Sequence, residues 1–92
     1  MKTFKDLIFK EHVLAKDSSL FKGCKQATLN FDNGYGVSVQ FGKRVYSNGI
    51  DTYELAVTED MCVCYDTPIT DDVLGYLTKN EVTEAMIKIQ EL

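Results

Sequence analysis

Apolar and polar residues alternate on both sides of Asn33-Gly34, with Ala27, Leu29 and Phe31 before it and Tyr35, Val37, Val39 and Phe41 after it. A period of two marks a strand with one buried face. Asn and Gly are the residues that most readily take the positive φ of a tight hairpin turn. The pattern therefore predicts a hairpin with arms over residues 25–31 and 35–41. A third strand over 50–57 would place Tyr53, Leu55 and Val57 on one face and Thr52, Glu54 and Ala56 on the other. Thr58-Glu59-Asp60 reads as a polar turn. Residues 61–65, apolar throughout, predict a fourth strand that is central or covered on both faces. The segment between the second and third strands, Gly42-Lys43-Arg44-Val45-Tyr46-Ser47-Asn48-Gly49, reads as a long, mobile loop.

Period two gives way to helical spacing near the end of the chain. Pro68 breaks the fourth strand. Thr70 is a good N-cap, and Asp71 and Asp72 suit the first turn of a short helix over 71–77 that would bury Val73, Leu74 and Leu77. Thr78-x-x-Glu81 then forms a capping box, and Val82, Ala85, Met86 and Ile89 recur at i, i+3, i+4 and i+7 as a buried stripe. Near the start, Phe4, Leu7 and Ile8 suit a helix as well as Leu7, Phe9 and Val13-Leu14 suit a strand, and the choice stays open. The expected class is α+β: an antiparallel meander of about four strands with one or two C-terminal helices packed on one face.

Ninety-two residues suit a single globular domain over 1–92. The longest apolar runs are far shorter than a membrane span, and no signal-peptide core follows Met1, so a cytoplasmic protein with no membrane partner is expected. The net charge of −4 is unevenly spread: residues 1–45 carry eight basic and four acidic side chains, residues 46–92 two basic and ten acidic. An acidic face from the second half would repel nucleic acid and attract a basic partner; the alternative is that the halves neutralise each other across one sheet.

Three cysteines, an odd number, argue for reduced thiols rather than a disulfide framework. Cys62 and Cys64 alternate onto one strand face, and with Cys24 and His12 they compose the donor set of a tetrahedral Cys3His zinc site. Their spacing inside an extended strand equally suits buried thiols, the reading adopted, so no metal or cofactor is expected. One His and no Gly-x-Ser-x-Gly elbow leave, beyond a formally possible Cys24–His12–Asp arrangement, no nucleophilic triad, and the chain is not expected to be an enzyme. The acidic pairs Glu59-Asp60 and Asp71-Asp72 have structural explanations in a turn and a helix first turn. Lys43, Arg44 and Tyr46, with Tyr35 nearby in sequence, could stack on a nucleic acid strand. Two adjacent basic residues in an acidic chain are a small footprint for that role, and direct nucleic-acid binding is not expected. Five tyrosines in so small a domain put one or two on the surface, where Tyr anchors protein contacts. The candidate contact residues are therefore Lys43, Arg44, Tyr46, Glu59, Asp60, Asp71 and Asp72.

The runs Phe31-x-Asn33-Gly34-Tyr35-Gly36-Val37-Ser38-Val39, Tyr53-Glu54-Leu55-Ala56-Val57 and Cys64-Tyr65-Asp66-Thr67-Pro68-Ile69-Thr70-Asp71-Asp72-Val73-Leu74-Gly75-Tyr76-Leu77 resemble a family of small proteins encoded by tailed bacteriophages. The resemblance covers about the last two thirds of the chain and brings no catalytic residues with it. It implies an accessory protein in the cytoplasm of an infected bacterium. The expected function is non-enzymatic binding that modulates or inhibits a host factor through a protein–protein contact. The alternative is a self-associating structural protein, a homodimer, with a zinc- or thiol-dependent activity as a more distant reading.

Overall fold

The computed structural model describes residues 1–11, 23–60, 62–63 and 73–92. The central hairpin forms where the alternation places it, with β2 (Lys25–Asn30) antiparallel to β3 (Tyr35–Phe41). A two-residue strand, β1 (Lys10–Glu11), pairs with the start of β2. On the other side, β3 pairs antiparallel along nearly its whole length with β4 (Tyr53–Glu59). Two short strands share the far edge of β4. There β5 (Cys62–Val63) pairs with Thr58 and Glu59, and β6 (Leu74–Leu77) pairs with Tyr53 and Leu55. The sheet order is β1-β2-β3-β4-β5, with β6 also on β4. Among the described residues, one helix, α1 (Lys79–Gln90), completes an α+β fold with six strands rather than about four.

The helix forms for the reason the sequence offers. Thr78 Oγ1 accepts from the Glu81 N–H (3.3 Å), and Glu81 Oε1 accepts from the Thr78 N–H (3.0 Å), satisfying two donors at the helix start. Val82, Ala85, Met86 and Ile89 are all buried. They close on Val37, Val39, Leu55 and Val57, which register puts side by side on one face of β3 and β4. A 3-10 turn (Phe4–Asp6) lies along the helix, held by Phe4 N–H to Thr83 Oγ1 (3.1 Å). Gln90 grips Lys2 from both sides, accepting from its N–H and donating to its carbonyl. At one end of the core, Tyr53 meets Phe4, Phe41 and Phe9 at centroid distances of 5.0, 5.2 and 5.7 Å.

Four expectations need correction. The helix over 71–77 is not formed at its C-terminal half: residues 74–77 are β6, because the edge of β4 offers Leu74 and Leu77 backbone partners and a place on the core face opposite Leu55 and Tyr53. The strand over 61–65 is, among the described residues, only Cys62–Val63, an exposed edge rather than a central strand. The third strand starts at Tyr53 and runs on through Thr58 and Glu59, with the turn falling on Asp60 at φ 52°, a conformation a short polar residue tolerates. Finally, the hairpin turn uses one positive φ, not two. Gly34 has φ 88°, while Asn33 is not among the positive-φ residues. Gly34 N–H donates to Phe31 O and Phe31 N–H to Tyr35 O, which makes a three-residue loop of a turn followed by a left-handed Gly.

Two outcomes are expected from this packing. Met86→Ala leaves a cavity against a stripe that cannot collapse, and unfolding in urea should show a loss of about 2–5 kcal/mol. The Tyr53 phenol is held above its ordinary pKa of 10.0, first by burial and then by the Asp51 carboxylate. Its proton is bound more tightly in the folded chain, so the stabilisation is complete below 10.0 and is lost as pH rises through the higher folded value. Denaturation followed upward from pH 9 should show wild type losing stability more steeply than Tyr53→Phe as pH rises past 10.0 toward the folded value.

Candidate interaction surface

The segment read as a mobile loop is a hydrogen-bonded scaffold. Asn48 Oδ1 accepts from the N–H groups of Ile50, Asp51 and Thr52 at 2.8, 3.0 and 3.2 Å, and Asn48 Nδ2 donates to Asp51 Oδ1. Buried Ser47 Oγ accepts from Gly42 and Gly49 and donates to Thr52 O. The Lys43 stem packs against Gly49, where a Cβ would lie 2.8 Å from Lys43 Cγ. This local closure leaves the loop's apolar tips facing outward: Tyr46 is 58% exposed and Ile50 77%.

Two groups from the sheet fix Tyr46. Its N–H donates to the carboxylate of Glu54 (3.3 Å), an acidic side chain buried on the sheet face away from α1. Its carbonyl accepts from Tyr76 N–H (2.9 Å). That second bond arises from a bulge. Tyr53 faces Leu77 and Leu55 faces Leu74, so Glu54 alone is opposed by two residues, Gly75 and Tyr76. The extra residue turns Tyr76 to φ 55°, a left-handed conformation that costs a bulky residue roughly 1–2 kcal/mol. Tyr76 nevertheless remains 59% exposed, its ring set edge-on to that of Tyr46 at 6.4 Å. Gly75 permits the approach, since a Cβ there would lie 2.8 Å from Tyr46 Cβ. Two solvent-facing tyrosines from separate elements are thus held together by strained backbone, a buried carboxylate and a glycine. Backbone strain of this kind concentrates at functional sites.

The predicted contact residues fall into two groups. Lys43, Arg44 and Tyr46 are exposed on the loop at the Phe41–Tyr53 end of the sheet. Glu59 and Asp60 are exposed at the other end of β4, roughly 20 Å away by strand rise. Tyr35 pairs with Glu59 at that same far end, so it is not part of a stacking surface with Lys43 and Arg44. Asp71 and Asp72 lie outside the described residues. Of the zinc set, His12 and Cys64 also lie outside them. Cys24 is buried against Gly42, as expected for a structural thiol, whereas Cys62 is exposed on β5. These two flank opposite sides of the β3–β4 pair, three strand spacings or about 14 Å apart across the sheet, and lie at opposite ends of it, so they cannot ligate one ion. Among the described residues, no three His, Cys, Asp or Glu side chains cluster as metal ligands, and no helix is long and apolar enough to cross a membrane.

Tyr76, Gly75, Glu54 and Asn48 were not singled out from the sequence as site residues. The signal lay in Leu74-Gly75-Tyr76-Leu77, where a glycine interrupts a segment too short to repay helix nucleation.

Gly75→Ala is expected to force Tyr46 aside and lower stability by about 1–3 kcal/mol in urea unfolding. Tyr76→Asn keeps a residue that tolerates the left-handed region and should stay within about 1 kcal/mol of wild type. A neutral Gly75→Ala would show that the two tyrosines are not held in contact. Compared with protein-family models, curated proteins and solved structures, the chain matches none, and the reading of this surface rests on its geometry.

Proposed function

We propose that this chain is a small accessory protein of the phage type its sequence resembles, a non-enzymatic binder that modulates a host factor by occupying its surface. The observation that carries this reading is the exposed Tyr46–Tyr76 pair, fixed from both sides although Tyr76 must adopt a left-handed backbone to join it. Tyr offers a large amphipathic contact with few rotatable bonds, and rigid exposed aromatics are the residues that dominate the energy of protein contacts. Ile50 just beyond the loop adds exposed apolar surface, and Lys43 and Arg44 add exposed charge on the loop itself. This favours the 42–49 loop over the acidic end at Glu59 and Asp60 as the principal contact.

The test is capture from bacterial lysate by wild type, Tyr46→Ser and Tyr76→Asn, each first shown to be folded by circular dichroism. One dominant host protein retained by wild type, and depleted more than about tenfold by either substitution, is the expected result. Retention unchanged by both substitutions would remove the tyrosines from the contact. A chain that captures no partner but runs as a dimer in light scattering would shift the reading to self-association.

A further inference from the structure

The three-residue turn leaves the Asn33 side chain free for a second task. Its Oδ1 accepts from Tyr35 N–H (3.1 Å), and its Nδ2 donates to Ile89 O (2.9 Å) and, more loosely, to Leu92 O (3.4 Å). A helix ends with carbonyls that lack intrahelical partners. Here Ile89 O accepts from Leu92 N–H (3.2 Å), and a side chain from the β2–β3 turn, far away in sequence, adds a second donor and ties the end of α1 to the sheet.

Asn33 is followed by Gly34, the residue that least obstructs attack by its own backbone nitrogen on the preceding side chain. We propose that Asn33-Gly34 is a self-modification site gated by the docking of α1. In the reaction, the Gly34 backbone nitrogen bonds to Asn33 Cγ, the Cγ–Nδ2 bond breaks, and ammonia leaves carrying the Gly34 amide proton. Water then opens the cyclic imide at either carbonyl, giving an aspartate or an isoaspartate. No electrons are exchanged, and water is the only co-reactant.

The docked structure opposes each step. Gly34 N–H is engaged with Phe31 O (3.3 Å), and the departing nitrogen is held by the end of α1. Reaction therefore requires the helix end to lift from the turn. Either product then hinders its return. An aspartate exchanges the donor for a carboxylate facing carbonyl oxygens at the negative end of the helix dipole. An isoaspartate lengthens the backbone inside a loop whose ends are joined by Phe31 N–H to Tyr35 O (2.7 Å), at the cost of strand register. The modification converts a transient opening of α1 into a permanent one.

The chain contains a second pair, Asn48-Gly49, whose amide nitrogen bonds within its own loop to Asp51, and this serves as an internal reference. The full chain is held in mildly alkaline buffer, native and in strong denaturant, and ammonia loss at each asparagine is followed by peptide mapping. Native Asn33 should react at least about fivefold more slowly than in denaturant. Gln90→Ala, which removes the clamp on Lys2, should accelerate Asn33 more than Asn48. Protection of Asn33 below fivefold, or a Gln90→Ala effect that is absent or equal at the two sites, overturns the proposal. Asn33→Asp should also melt below Asn33→Ala; an Asn33→Asp variant as stable as wild type would show that the product does not hinder redocking.

Discussion

The structure depends on β4 having partners on both of its edges. With β3 on one side and β5 and β6 sharing the other, β4 is the strand to which every later element is tied. All of its residues from Tyr53 to Thr58 are buried, on both faces. The core face carries Tyr53, Leu55 and Val57 under the helix stripe, where apolar burial is the main stabilising term. The opposite face carries Glu54, Ala56 and Thr58, and there the polar groups require partners of their own. Glu54 takes its partner from the loop backbone. A requirement of the sheet, a bonded carboxylate, thereby orders the segment that presents Tyr46.

The split of the far edge has a comparable consequence. A continuous strand pairing with β4 would place each residue opposite one partner. Instead β5 and β6 meet β4 at its two ends, and β6 carries one residue too many opposite Glu54. Bulges re-aim side chains and are common next to functional sites. Here the bulge turns the Tyr76 N–H away from a ladder partner and onto Tyr46 O. Strain at Tyr76 is tolerable because its flanking residues, Leu74 and Leu77, are packed against the core in register with Leu55 and Tyr53.

What the sequence made legible follows from how each signal arises. Strands β2 and β3 and the capped helix with its Val82-Ala85-Met86-Ile89 stripe could be read because local periodicity and tertiary burial agree there. Helical spacing of Val73, Leu74 and Leu77 misled, because three apolar residues in five positions suit either element and the open edge of β4, a tertiary fact, decides between them. The exposed Cys62–Val63 edge was misread for a related reason: an apolar run says nothing by itself about which strand lies beside it. The tyrosine surface was half visible. Tyr46 was singled out by its loop, but Tyr76 joins it through a bulge whose register is written in no local motif. The Asn-Gly pair predicted a turn correctly, but not that Gly34 alone would take positive φ, since a two-residue and a three-residue loop differ by one pairing step that the flanking residues settle.

That one step decides what Asn33 does. In a two-residue turn both Asn and Gly take positive φ, and the asparagine contributes mainly its tolerance of that backbone. In the three-residue loop observed, Gly34 alone meets the requirement, and the Asn33 carboxamide is released to bond Tyr35 on one side and Ile89 on the other. The end of the chain's only described helix thus depends on a turn more than fifty residues earlier, while the start of that helix depends on its own Thr78 and Glu81. The N-terminal end of α1 is secured by local chemistry that forms as soon as the helix does. Its C-terminal end has local bonds as well, from Glu91 N–H to Ile87 O and from Leu92 N–H to Ile89 O, but it is tied to the sheet only once the turn has closed. Local opening of the docked molecule should therefore begin at Ile89 and the Asn33 turn, at the end of the sheet remote from Tyr46 and Tyr76, so that the helix end can lift while the tyrosine surface stays in place.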